Sequence, residues 1–230
     1  MDSAKIPKLL GIAYLIQFIG SLLSGILSDM AIGSGTISEN LVSVSNNLLL
    51  MRTSIVAELV TCLGIILMTV FLYVVLEKEN RTIALVALSL WLIEVVFLVI
   101  ISIGANALIP LSIEYVQAGS PDPSYMLTLG SLFLNLTEFS MIIHMLFFSI
   151  GGIFWYYLFY RSKKIPKFLA LWGLVLLSLM PIDIVLALYG LGFDSIWRLI
   201  SVISYIPYLP FEGIMGLWFI FKGIDDSGST

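Results

Sequence analysis

Residues 144–173 read HMLFFSIGGIFWYYLFYRSKKIPKFLALWG, and the order of their chemistry decides the architecture. Positions 144–160 carry no ionisable side chain apart from His144 and the tyrosine hydroxyls. Arg161, Lys163, Lys164 and Lys167 then fall within seven positions, and apolar residues resume after them. Apolar run, cation cluster, apolar run is the pattern of two membrane helices joined by a short turn held in water.

The rest of the chain agrees. Of its 230 residues 60% are hydrophobic and 11% charged, with a mean hydropathy of +1.07. A water-soluble domain has about 45–50% apolar and about 25% charged residues, so this composition describes an integral membrane protein. The formal net charge of −4 says little about partners, because Glu58, Glu94, Glu138, Asp183 and Glu212 fall inside apolar segments and not on a water-exposed surface. A single cysteine, Cys62, excludes an intrachain disulfide, a CxxC redox pair and a zinc knuckle, and leaves the redox compartment open. The first apolar run, Leu9 to Leu27, lacks a small-residue cleavage site after it and reads as a transmembrane helix, not a signal peptide.

A span needs roughly 20 mostly apolar residues. Six segments qualify, about 9–27, 54–76, 83–109, 131–160, 166–189 and 196–221. The predicted fold is therefore all-α, a single six-helix transmembrane domain over 1–230. Lys5, Lys8, Lys78, Arg81, Arg161, Lys163, Lys164, Lys167 and Lys222 fall on one side of this arrangement, nine of the 11 basic residues. Arg52 and Arg198 fall on the other. The positive-inside rule places the nine, and both termini, in the cytoplasm, with the chain in the cell (inner or plasma) membrane.

Three outer connections follow. In ISENLVSVSNNLLLM (37–51) Leu41, Val44, Leu48 and Met51 recur at helical spacing opposite serines and asparagines, which predicts an amphipathic helix on the outer surface or capping the bundle. PDPS (121–124) reads as a turn with Ser124 as N-cap. A straight helix from there to Tyr160 would be about 55 Å long, so a bend or break is expected near Gly130-Ser131. GLGFD (190–194) is a short turn. LSLW (88–91) with LALW (169–172), and the two IPK tripeptides, fit repeated hairpins but also arise by chance in apolar sequence.

An ionisable group at mid-membrane costs from about 3 to more than 10 kcal/mol, so each needs a partner, a cavity or neutralisation. The candidates are Glu58, Glu94, Glu138, His144, Asp183 and Glu212. Counted from the flanking cytoplasmic basic residue, His144 lies about 25 Å, Asp183 about 24 Å, Glu94 about 20 Å and Glu212 about 15 Å into the membrane. Glu58 and Glu138 sit higher still, so the polar content is biased toward the middle and outer part. In the sixth span Arg198, Ser201, Tyr205, Tyr208, Glu212 and Gly216 recur every three or four residues and form one stripe. Pro207 and Pro210 in the same helix remove backbone donors. A broken helix beside an acid is one way transporters build a site; a plain proline kink with Glu212 bonded to a tyrosine or serine is the other reading.

Glu138 and His144, six residues apart, cannot share a helix face and so are not a metal motif. His144 falls on a face with Ser140 and Gly151, and Gly151-Gly152 permits close helix approach. It is either a satisfied buried polar group or a ligand-binding or proton-handling one. Asp183 is expected to pair with Arg198 across the outer turn. Glu94 has no cationic partner visible in the sequence. Trp91, Trp155, Trp172 and Trp218 read as interface or packing residues. No nucleotide-binding glycine loop, nucleophile elbow or metal-ligand set is present, and no cofactor is expected.

LWLIE (90–94), the stretch 144–173 and IPYLPFEGIMGLWFIFKGI (206–224) together resemble the prokaryotic membrane proteins grouped as domain-of-unknown-function family 4386. The resemblance covers nearly the whole chain. Trp91 stands where many members carry arginine. It singles out His144, Glu94, Pro207, Glu212 and Gly216.

The leading functional expectation is binding or transport of a small polar or lipid-like ligand. Its outward-biased pocket would be lined by His144, Glu94 and Glu212, with Arg198 and Glu58 near the mouth and Glu138, Tyr208 and Asp183 as further candidates. The alternatives are an intramembrane enzyme with His144 as general base, and a sensor or assembly partner without pocket chemistry. The lipid bilayer is the one certain partner; nucleic acid is not one, and an oligomer is compatible with the sequence.

Overall fold

A computed structural model describes residues 5–119, 124–190 and 195–225, with only the backbone described for 195–204. Its elements are α1 (Ile6–Ile32), α2 (Ile37–Asn46), α3 (Leu48–Leu76), α4 (Arg81–Gln117), α5 (Ser124–Ser162), α6 (Lys167–Leu188) and α7 (Ser195–Phe221). No strand occurs among the described residues. In hydrocarbon a backbone must satisfy its own N–H and C=O groups, and a helix does so within one segment. Five helices, α1, α3, α4, α5 and α6, are long and apolar enough to cross a membrane; the described apolar part of α7, Tyr205–Phe221, is shorter.

Neither α5 nor α7 is broken. α5 runs through Gly130-Ser131 as one helix of 39 residues, roughly 58 Å long. Gly130 is there for contact, not flexure: a Cβ on it would lie 3.3 Å from the terminal methyls of Ile37 and Leu41 in α2. α7 likewise continues through Pro207 and Pro210 without interruption.

The amphipathic segment is also shorter than its pattern. Thr36 caps α2, its hydroxyl accepting from the Glu39 N–H while the Glu39 carboxylate accepts from the Thr36 N–H, a reciprocal capping box. The helix ends at Asn46, where the Asn47 amide donates to the Ser43 carbonyl at 2.9 Å. Leu48 and Met51 belong to α3, yet Leu41, Val44 and Met51 are all buried. The turns expected at 121–124 and 190–194 fall largely outside the described residues.

The chain forms two compact units, one of 1–18, 63–95 and 142–230 and the other of 19–62 and 96–141. In the second, Ser43 donates to the Ala31 carbonyl at 2.8 Å and Ser38 bonds Tyr115 at 2.7 Å, fastening α2 to α1 and α4 over a core of Leu41, Val44, Met51, Leu108 and Met126. The first buries Trp91, Trp155, Tyr156, Phe159, Phe211 and Phe219 completely. Its α1 and α7 meet at Gly11, where an added Cβ would come within 2.6 Å of the Gly216 carbonyl oxygen.

Candidate intramembrane polar site

Within the first unit, side chains from α1, α4, α5 and α7 converge. Glu94, only 1% exposed, is on α4. His144 on α5 places Nδ1 at 3.6 Å from Glu94 Oε1, just beyond direct hydrogen-bond distance. The partner that the sequence did not reveal for Glu94 is thus the single histidine of the chain. Gly151 on α5 lies against the Trp91 indole of α4, and on its other side α5 is close to α6, where a Cβ on Gly152 would meet Leu177 at 2.7 Å. Small residues let membrane helices come this close.

One helix over, Glu212 is 7% exposed and shares its α7 face with Tyr208, four residues earlier as helical periodicity requires. The Tyr208 hydroxyl lies within electrostatic reach of Glu212, Glu94 and Tyr14. Gln17 of α1 faces Glu212 as well, although its Nε2 makes no hydrogen bond of regular geometry. Tyr14, three residues before Gln17, brings its hydroxyl to 3.5 Å from that of Tyr156 on α5. The result is one buried polar cluster of two carboxyls, an imidazole, an amide and three phenols. Such a set can give and accept protons and hydrogen bonds without any metal. Among the described residues no three His, Cys, Asp or Glu side chains could hold a metal ion.

The remaining candidates do not join this cluster. Glu58, half-buried in the second unit, hydrogen-bonds Ser24. Glu138, in the same unit, is exposed. Asp183 is half-buried and faces Tyr205 electrostatically; its expected partner, the Arg198 side chain, lies outside the described residues, as does that of Ser201. Trp91 and Trp155 are core residues, whereas Trp172 is 40% exposed. Sequence reasoning missed Tyr14, Gln17 and Tyr156. Gln17 carried a usable signal, being the one amide in the first apolar run, with Tyr14 three residues away.

Among the described residues, seven helices without strands, five of them apolar and long enough to span, with buried ionisable groups packed between them, define a multipass α-helical membrane protein. The chain belongs to the family described as Domain of unknown function (DUF4386), whose model matches residues 9–223. No curated protein and no solved structure matches it.

Proposed function

We propose that the protein binds or carries a small polar or lipid-like ligand at the Glu94–His144–Tyr208–Glu212 cluster. One observation carries this reading: three helices bring two acids and the only histidine into a single buried polar cluster, where each group is costly to keep. A purely structural role needs one partner per buried acid, whereas Tyr208 is within electrostatic reach of both carboxyls and Gln17 adds an amide beside one of them. Glu212 or Glu94 then carries a proton coupled to ligand binding.

The same reading takes α7, 27 residues long, as a sixth span, with both termini cytoplasmic and the protein in the cell membrane. The distribution of nine of the 11 basic residues supports it. A second reading, intramembrane catalysis with His144 as general base and Glu94 orienting it, is favoured by the 3.6 Å approach of the two side chains, since catalytic hydrogen bonds are often long before substrate binds.

The test is native mass spectrometry of protein released from nanodiscs, wild type beside His144→Ala. A discrete retained mass in the wild type that is lost in the variant supports the site and gives the chemical class of its occupant. A mass held equally by both proteins removes the assignment to this cluster.

A further inference from the structure

We propose that the groove between the α5–α6 turn and the segment after α7 binds the phosphate headgroup of an anionic phospholipid. This groove has a volume of about 600 Å³ and is lined by Lys163, Lys164, Lys167, Lys222, Trp218 and Asp225 among others. Ligand sites typically enclose about 300–1,000 Å³. With Lys164 paired to Glu79, three exposed ammonium groups, Lys163, Lys167 and Lys222, against the Asp225 carboxylate select an anion.

The groove is built, not merely a charged loop. Lys163 adopts a left-handed backbone at φ 57° and Gly223 at φ 74°, and these reversals turn both segments toward each other. The Asp225 N–H donates to the Lys164 carbonyl at 3.1 Å, fastening the segment after α7 to the α5–α6 turn. Lys164 is held at 8% exposure with Nζ 3.8 Å from Glu79, while Lys163, Lys167 and Lys222 are exposed. Pro166 occupies the N-cap of α6 and makes no side-chain cap bond, so the positive end of that helix adds to the field of the lysines.

Position selects the lipid over other anions. The groove lies where α5 and α7 end and α6 begins, at the boundary between apolar helix and water. Ile165 and Trp218 give it an apolar wall beside the cations, and tryptophan favours the headgroup level. A basic pocket between the ends of membrane helices, with such a wall, matches a phosphate that stays attached to its acyl chains.

The full-length protein in neutral detergent is titrated with phosphatidylglycerol, and in parallel with phosphatidylcholine and with inorganic phosphate, and adducts are read by native mass spectrometry. Wild type is expected to retain phosphatidylglycerol in preference to phosphatidylcholine, with retention falling as salt rises. Lys167→Gln/Lys222→Gln is expected to weaken it by roughly fivefold per lysine, about 30-fold in all, and Lys167→Arg/Lys222→Arg to keep it. Equal retention of the two lipids, salt-independent retention, or an unchanged glutamine variant overturns the proposal. Displacement of the lipid by an equal concentration of inorganic phosphate overturns the lipid assignment in favour of a free-anion site. The salt series uses only wild-type protein, so the proposal stays testable if the glutamine variant fails to fold.

Discussion

Trp91 donates its indole N–H to the main-chain oxygen of Phe148 over 2.9 Å, and the two rings stack with centroids 6.0 Å apart. Glu94 and His144 lie one helical turn further along the same two helices, three residues on in α4 and four back in α5. The tryptophan therefore sets the register that brings acid and imidazole together, and Trp155 supports it edge-on at 6.1 Å.

Trp91→Phe keeps most of the ring and loses one hydrogen bond, so stability against sodium dodecyl sulfate unfolding should fall by about 0.5–1.5 kcal/mol. Trp91→Ala should cost about 3–5 kcal/mol. Equal losses in the two variants would show that packing of the ring contributes nothing beyond the indole bond.

Glycine substitutions should rank by what an added methyl meets. Gly11→Ala confronts backbone, the Gly216 oxygen at 2.6 Å and the Ile220 nitrogen at 2.9 Å, and should destabilise by roughly 1–3 kcal/mol. Gly25, with nothing within 4 Å of an added Cβ, should accept alanine at no cost or with a gain of up to about 1 kcal/mol. The two variants are compared in one unfolding titration, and a reversed order contradicts the α1–α7 contact.

If Glu212 carries the coupled proton, ligand retention by wild type should vary with pH and become flat in Glu212→Gln, which keeps shape and removes titration. A pH profile in that variant identical to wild type assigns the proton elsewhere.

Reporter fusions at the two ends check the proposed topology. Six spans put both ends on the cytoplasmic side, so a cytoplasm-only fluorescent reporter should light at either end. Signal at one end alone means an odd number of crossings.

The α2 cap should be acid-sensitive. Hydrogen bonds from the Thr36 N–H at 2.7 Å and hydroxyl at 2.9 Å hold the exposed Glu39 carboxyl below its ordinary value of 4.5. A depressed folded value means that the cap's contribution is fully present above pH 4.5 and is lost as pH falls below it through the folded value. Amide exchange in the first turn of α2 should quicken over that range relative to the rest of the helix, and Glu39→Gln should abolish the extra acid response.

The helices were legible because hydropathy over twenty residues is a sum, and sums tolerate error. Single positions were not. Gly130 reads as a hinge in sequence, yet α2 folds back onto it, and a contact between segments ninety positions apart leaves no local trace. Leu48 and Met51 continue the periodicity of α2, but Asn47 ends that helix by bonding Ser43. Glu94 offered no partner within its own span, since pairing with His144 depends on how α4 and α5 dock. Tyr208 and Glu212 were readable as a stripe because both lie on one helix.

The meeting of Gly11 with Gly216 has a consequence for biogenesis. Ribosomes deliver α1 to the membrane long before α7 exists, so Gln17 and Tyr14 enter the lipid ahead of the Glu212 and Tyr208 they will face. During that interval the amide and phenol lack the partners they meet in the finished unit, so a nascent chain halted before residue 195 should crosslink from Gln17 to neighbours that α7 displaces in the full-length protein.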